Sequence, residues 1–136
     1  MGAWSHESFG NDTACDWAAD LQEGDDLEPV ESALDTVLEV GDDYLEAPEA
    51  CEAIAAAEVV ARLQGHFGLR DACSESLDGW IARVGIAPAP ALAAKARRAL
   101  DRILAEPSEL MELWEESGEP GAWRAAVNEL KDRIAT

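Results

Sequence analysis

Carboxylates are the groups this sequence supplies most freely for chemistry, and they are unevenly placed. The chain carries 29 Asp and Glu against 10 Lys and Arg, a formal net charge of -19. No Lys or Arg precedes Arg62. Residues 1–61 therefore hold 17 acidic groups with no cation among them, whereas residues 62–136 hold 12 acidic and 10 basic groups. Two dense clusters stand out: Asp25, Asp26 and Glu28 in "EGDDLE", and Asp42, Asp43 and Glu46 in "GDDYLEA". Both interrupt helical patterning, and turns of this kind keep their side chains solvated and open to a partner. Such a field repels DNA, RNA and anionic lipid and attracts cationic surfaces. These six residues are the candidate binding residues, with a basic protein as the partner they fit and with nucleic acid and membrane set aside.

A second constellation lies in the opening stretch, where Trp4, His6, Asn11 and Asp12 could line a small pocket. The competing account is structural. Trp4 and Phe9 would cover the end of a helical core, and Asn11 or Asp12 would cap the first helix by accepting backbone N–H bonds. Phe9 would act as a hydrophobic staple ahead of that cap. Catalytic patterns are wanting. No GxSxG elbow or Gly-rich phosphate loop occurs. The two histidines, His6 and His66, sit in no HExxH or paired Cys/His spacing. "NDTACDWAADLQ" lacks the central Gly and terminal Glu of a calcium loop. The expectation is no catalytic residue, no metal and no cofactor. Cys15, Cys51 and Cys73 are an odd count without CxxC spacing, and read as reduced, buried small hydrophobes of a cytoplasmic protein. The first residues lack the basic and apolar regions of a secretory signal, and His6 stands where a myristoylation motif requires Ser or Thr.

The elements that must carry these residues read as helices nearly throughout. Ala14, Trp17, Ala18 and Leu21 recur at helical spacing, which places Trp17 in the core. Pro29 suits the first turn of a second helix with the stripe Val30, Ala33, Leu34, Val37 and Leu38, ended by Gly41. Pro48 opens a third, closed near Gly65, whose alanine run implies close approach to a neighbour. At 100° per residue, Glu58 and Arg62 lie opposite its bulky face and read as an exposed i, i+4 pair. Ser74 or Ser76 is positioned to cap a helix bearing Leu77, Trp80, Ile81 and Val84, stopped by Gly85. Beyond the "APAPA" connector comes the stripe Leu92, Ala96, Ala99, Leu100, Ile103 and Leu104, with Lys95, Arg98 and Arg102 along the other face. That basic face reads as an internal counterpart to the acidic half, not as a nucleic-acid site. Pro107 and Ser108 open a short helix through Leu110, Leu113 and Trp114, and Pro120 opens the last, with Trp123, Ala126, Val127, Leu130 and Ile134. The expected fold is all-α, a compact single-domain bundle of about six or seven short helices spanning residues 1–136.

The opening segment also resembles a known family whose members often begin MGAWG-x-G-x-F-x-N-D-x-A-x-D-W. Met1, Gly2, Ala3, Trp4, Phe9, Asn11, Asp12, Ala14, Asp16 and Trp17 match it, while Ser5 and Glu7 replace its glycines. The stretches "GDDYLEAPEA", "AAAEVVA" and "LWEESG" are similar to it as well. The family is the bacterial domain-of-unknown-function family numbered 4259. The resemblance implies no activity, substrate or cofactor, so no site residue is carried over.

The favoured function is a non-enzymatic acidic interaction module, immunity- or inhibitor-like in its electrostatics, for a basic protein. The alternatives are an enzyme or small-ligand domain with its pocket at Trp4, His6, Asn11 and Asp12, and a structural protein whose acidity serves solvation alone.

Overall fold

Prolines and glycines punctuate this chain into helices. The computed structural model describes the backbone of residues 12–24, 26–66, 72–117 and 120–134, and the side chains of residues 12, 72–74, 76, 117 and 120 lie outside the description. Within it run α1 (Asp12–Leu21), α2 (Glu28–Glu39), α3 (Ala47–Leu63), α4 (Ala72–Val84), α5 (Pro90–Ile103), α6 (Glu109–Ser117) and α7 (Pro120–Arg133). Pro29 and Pro48 occupy first turns, where the missing N–H would have had no helical acceptor. Gly41, Gly65 and Gly85 follow α2, α3 and α4 with φ of 60°, 87° and 58°, a left-handed geometry that a Cβ disfavours. The fold is all-α, as the patterning requires. Among the described residues the only β-type pairing is an isolated bridge between Leu45 and Ser108.

Helix α3 is the centre. It touches each of the other six helices, while α2 pairs with α5, α1 with α4, and α6 with α7 around it. The alanines explain how. Ala50, Ala53, Ala55, Ala56, Ala57 and Ala61 are fully buried, and side chains this small let neighbouring helix axes come close on every side. A helix apolar all round belongs in a core. One expectation falls as a result. Glu58 and Arg62 are not an exposed pair, because both are buried, at 2% and 1% exposure. Their helical phase was read correctly, but α4 and α7 cover that side of α3 too.

Other packing differs from the sequence pattern in detail. Trp17 is only half-buried against the core, while Ala14, Ala18 and Leu21 carry the inner face of α1. On α6, Met111 joins Leu110 and Trp114 inside, and Leu113 is exposed. Ser74 and Ser76 fall within α4, which starts at Ala72, so neither precedes the helix as a cap. Cys51 is buried and outside any disulfide, but Cys15 is half-buried and disulfide-bonded, so the three cysteines are not all reduced. Spacing along the chain carries no information about which thiols the fold brings together.

Candidate functional site

The 12-residue helix α2 joins the two acidic turns and sets their separation. At about 1.5 Å rise per residue they lie roughly 18 Å apart, at its opposite ends. Its inner stripe is Val30, Ala33, Leu34 and Val37, all buried. The same periodicity turns Glu28, Glu31, Ser32, Asp35, Thr36 and Glu39 outward, where they line a shallow open groove. Asp26, Glu28, Asp42, Asp43 and Glu46 are all exposed. The structure therefore does not gather the predicted residues into a pocket. It leaves them in the turns at the two ends of α2, whose outer face adds Glu31, Asp35 and Glu39, carboxylates that the turn-based reading missed. The signal was available, since a helix with a clean apolar stripe must present its carboxylates on the other face. Asp25 and the alternative constellation of Trp4, His6 and Asn11 lie outside the described residues, as does the Asp12 side chain.

Each end of the ridge is built differently. At the first turn, Asp26 Oδ1 accepts the Glu28 N–H at 3.2 Å, a local Asx-type turn that leads into α2. Behind it, Trp80 of α4 donates its indole N–H to Gly24 O at 2.7 Å. At the second turn, residues 41–46 lean on the connector between α5 and α6. Leu45 N donates to Pro107 O at 3.1 Å, and Glu109 N to Leu45 O at 2.8 Å. Glu109 Oε1 accepts the Ala47 N–H at 2.8 Å, so a carboxylate from α6 meets the N-terminus of α3, where the helix dipole favours it. The Tyr44 hydroxyl donates to Glu112 at 3.2 Å. Partial desolvation, and then the Glu112 carboxylate it faces, raise that phenol above its usual range.

Cations that could neutralise the ridge are mostly engaged elsewhere. Lys95 of α5 pairs with it, 2.8 Å from Asp35 and 4.0 Å from Glu31. That pairing holds the Lys95 ammonium above its ordinary value. Arg97 donates to the carbonyls of Lys131 and Ile134 at the end of α7. Arg102 gives all its hydrogen bonds to carbonyls. Lys131 pairs with Asp101 at 2.6 Å. Of the basic stripe of α5, Lys95 pairs with acidic side chains, Arg102 binds carbonyls and Arg98 is exposed.

The strongest electrostatic cluster is buried, and only the fold reveals it. Glu58 accepts from Arg62 Nε at 3.0 Å and from both terminal nitrogens of Arg133 at 2.6 and 2.8 Å. Arg62 also donates to Asp78 of α4 at 2.7 Å. Arg133 reaches Glu129 at 2.6 Å and the His66 carbonyl at 3.1 Å. Bonding to Glu58 keeps the Arg133 guanidinium well above its usual value despite burial. No buried side-chain polar atom among the described residues lacks a hydrogen-bond partner. A saturated network of this kind fixes how α3, α4 and α7 meet.

Among the described residues, no cluster of three or more His, Cys, Asp and Glu is arranged to hold a metal ion. No helix there is long and apolar enough to cross a membrane.

Fold and surface together define an all-α, strongly acidic protein built around a buried central helix. By sequence the chain belongs to the family described as Domain of unknown function (DUF4259), whose model matches residues 2–126. Searches of curated proteins and of solved structures return no match.

Proposed function

We propose that this protein is a non-enzymatic interaction module that docks a basic protein partner along the α2 ridge, with residues 1–136 acting as one domain. Its electrostatic logic is that of small acidic immunity proteins and inhibitors, in which complementary charge governs encounter. One observation carries the reading. Glu28, Glu31, Asp35 and Glu39 line the outer groove of α2, Asp26, Asp42, Asp43 and Glu46 are exposed in the turns at its two ends, and Lys95 pairs with Asp35 and Glu31. A net charge of -19 leaves that potential largely uncompensated.

The test is surface plasmon resonance against the basic protein recovered by pull-down from native lysate, across a salt series. A variant with Asp26, Asp42 and Asp43 changed to Asn and Glu28 to Gln removes four charges at nearly constant volume. Electrostatic steering raises on-rates by about 10–10³, so the variant is expected to associate roughly tenfold more slowly and with a shallower salt slope. An unchanged on-rate and slope would show that the ridge serves solvation alone.

A further inference from the structure

The acidic turn over residues 41–46 is shaped by a cation that ignores its carboxylates. Arg102, in the last turn of α5, lies beside a turn bearing Asp42, Asp43 and Glu46, and a charged partner would be the default expectation. Instead its Nε donates to Gly41 O at 2.8 Å and one terminal nitrogen to Asp43 O at 2.7 Å. The same nitrogen reaches Pro107 O at 3.0 Å, and the other donates to Ala105 O at 2.9 Å. Two of these carbonyls belong to the turn and two to the α5–α6 connector, so the guanidinium rivets one segment to the other. The planar fork is what permits it, since an ammonium is a single point with no fixed donor directions. The Leu45–Ser108 bridge continues the same seam, with Leu45 fully buried beneath it. Gly41, at φ 60°, lets the chain turn from α2 into this grip.

The consequence is a backbone fixed from below with its carboxylates left over. Asp42, Asp43 and Glu46 stay exposed, and none of them spends its charge on Arg102. We infer that Arg102 is a positioning residue for the docking surface, holding the second acidic turn in the one backbone form that presents these three carboxylates together. The inference rests on the docking reading above and adds to it a preorganised end, which lowers the ordering cost of binding.

Two variants separate positioning from charge, because the two roles predict opposite signs. Arg102→Met removes a positive charge beneath an acidic surface, so a purely electrostatic role predicts tighter binding of a cationic probe. Arg102→Lys keeps the charge and loses the fork. The probe is cytochrome c, a rigid basic protein, in surface plasmon resonance at fixed salt. A positioning role predicts that both variants bind it at least about threefold more weakly than the wild type. Amide hydrogen exchange supplies the second readout. Exchange at Leu45 and Glu109, the two amides of the seam, is expected to accelerate about tenfold or more in both variants, with Val59 and Val60 in α3 unchanged as a folding control. Unchanged exchange at Leu45 and Glu109, or tighter binding by Arg102→Met with wild-type binding by Arg102→Lys, overturns the positioning role. Failure of the wild-type protein to bind the probe counts against the docking reading, and the exchange result still judges the grip of Arg102 on the turn.

Discussion

Replacing Glu58 by Gln is expected to be among the most damaging conservative changes in the protein. The residue is 2% exposed, and its carboxylate accepts bonds at 2.6, 2.8 and 3.0 Å from two arginines on α3 and α7. Hydrogen bonds to charged groups contribute about 1.5–3 kcal/mol each, but adding three such values overstates the loss. Arg62 keeps Asp78 at 2.7 Å, Arg133 keeps Glu129 at 2.6 Å, and the Gln carbonyl still accepts one bond. What remains is buried positive charge facing an amide NH₂, and breaking a buried pair by removing one partner costs about 3–5 kcal/mol. That is a large share of a total stability of roughly 5–15 kcal/mol. The internal control is Glu129→Gln, which removes a partner of the same Arg133 from a side chain 59% exposed and is expected to cost less than about 1 kcal/mol. Urea melts of both variants at pH 7 make the comparison, with circular dichroism confirming the helical fold. A cycle with Arg133→Gln is expected to show coupling of about 1–3 kcal/mol. Because the Arg133 guanidinium is raised above its unfolded value, its contribution is present in full below that value and constant over ordinary working pH. If Glu58→Gln costs under about 1 kcal/mol, or no more than Glu129→Gln, the network does not hold α3 and α7 together as described.

Two other outcomes follow from burial. Trp80 is 2% exposed and has its indole N–H bonded to Gly24 O, so Trp80→Ala should cost about 3–5 kcal/mol. Trp17 is half-buried, and Trp17→Ala should cost about half as much, roughly 1.5–2.5 kcal/mol; denaturant melts that reverse this order would place Trp17 in the core. Desolvation, and then the nearby Glu49 and Asp20 carboxylates, raise the Glu52 carboxyl above the ordinary carboxylate range. For an acid raised on folding, the native state binds its proton more tightly, so stability falls as pH rises from the unfolded value through the folded one. Glu52→Gln should therefore stabilise the protein at pH 7, with the gain disappearing as pH is lowered to about 4.5. A melting-temperature difference that is independent of pH would contradict this.

Local chemistry made much of the fold legible in the sequence. Pro29 and Pro48 fix φ and need no N–H partner, and Gly41, Gly65 and Gly85 tolerate the left-handed turn, so helix limits could be set residue by residue. The stripes of α2 and α5 also reached the core nearly as read, with Leu38 and Leu104 at their ends only half-buried, because each helix has one apolar face. The charge asymmetry needed only counting. Periodicity, however, says which residues share a face and not whether that face meets water. Glu58 and Arg62 were assigned the correct phase and the wrong environment, since α3 is covered on all sides by helices distant in the chain. On α6, the choice of Met111 over Leu113 depends on the direction of the neighbouring layer, which one helix cannot reveal. The Gly41 and Asp43 carbonyls that Arg102 binds likewise come from a segment remote in the chain. The sequence alone determined the helical content, most helix limits and a surplus of negative charge too large for ten cations to cancel. The tertiary structure alone decided which cations turn inward, and so which carboxylates are left as a ridge. Helix formation depends on neighbours three and four residues away, whereas burial and pairing depend on which distant segments the folded chain packs together.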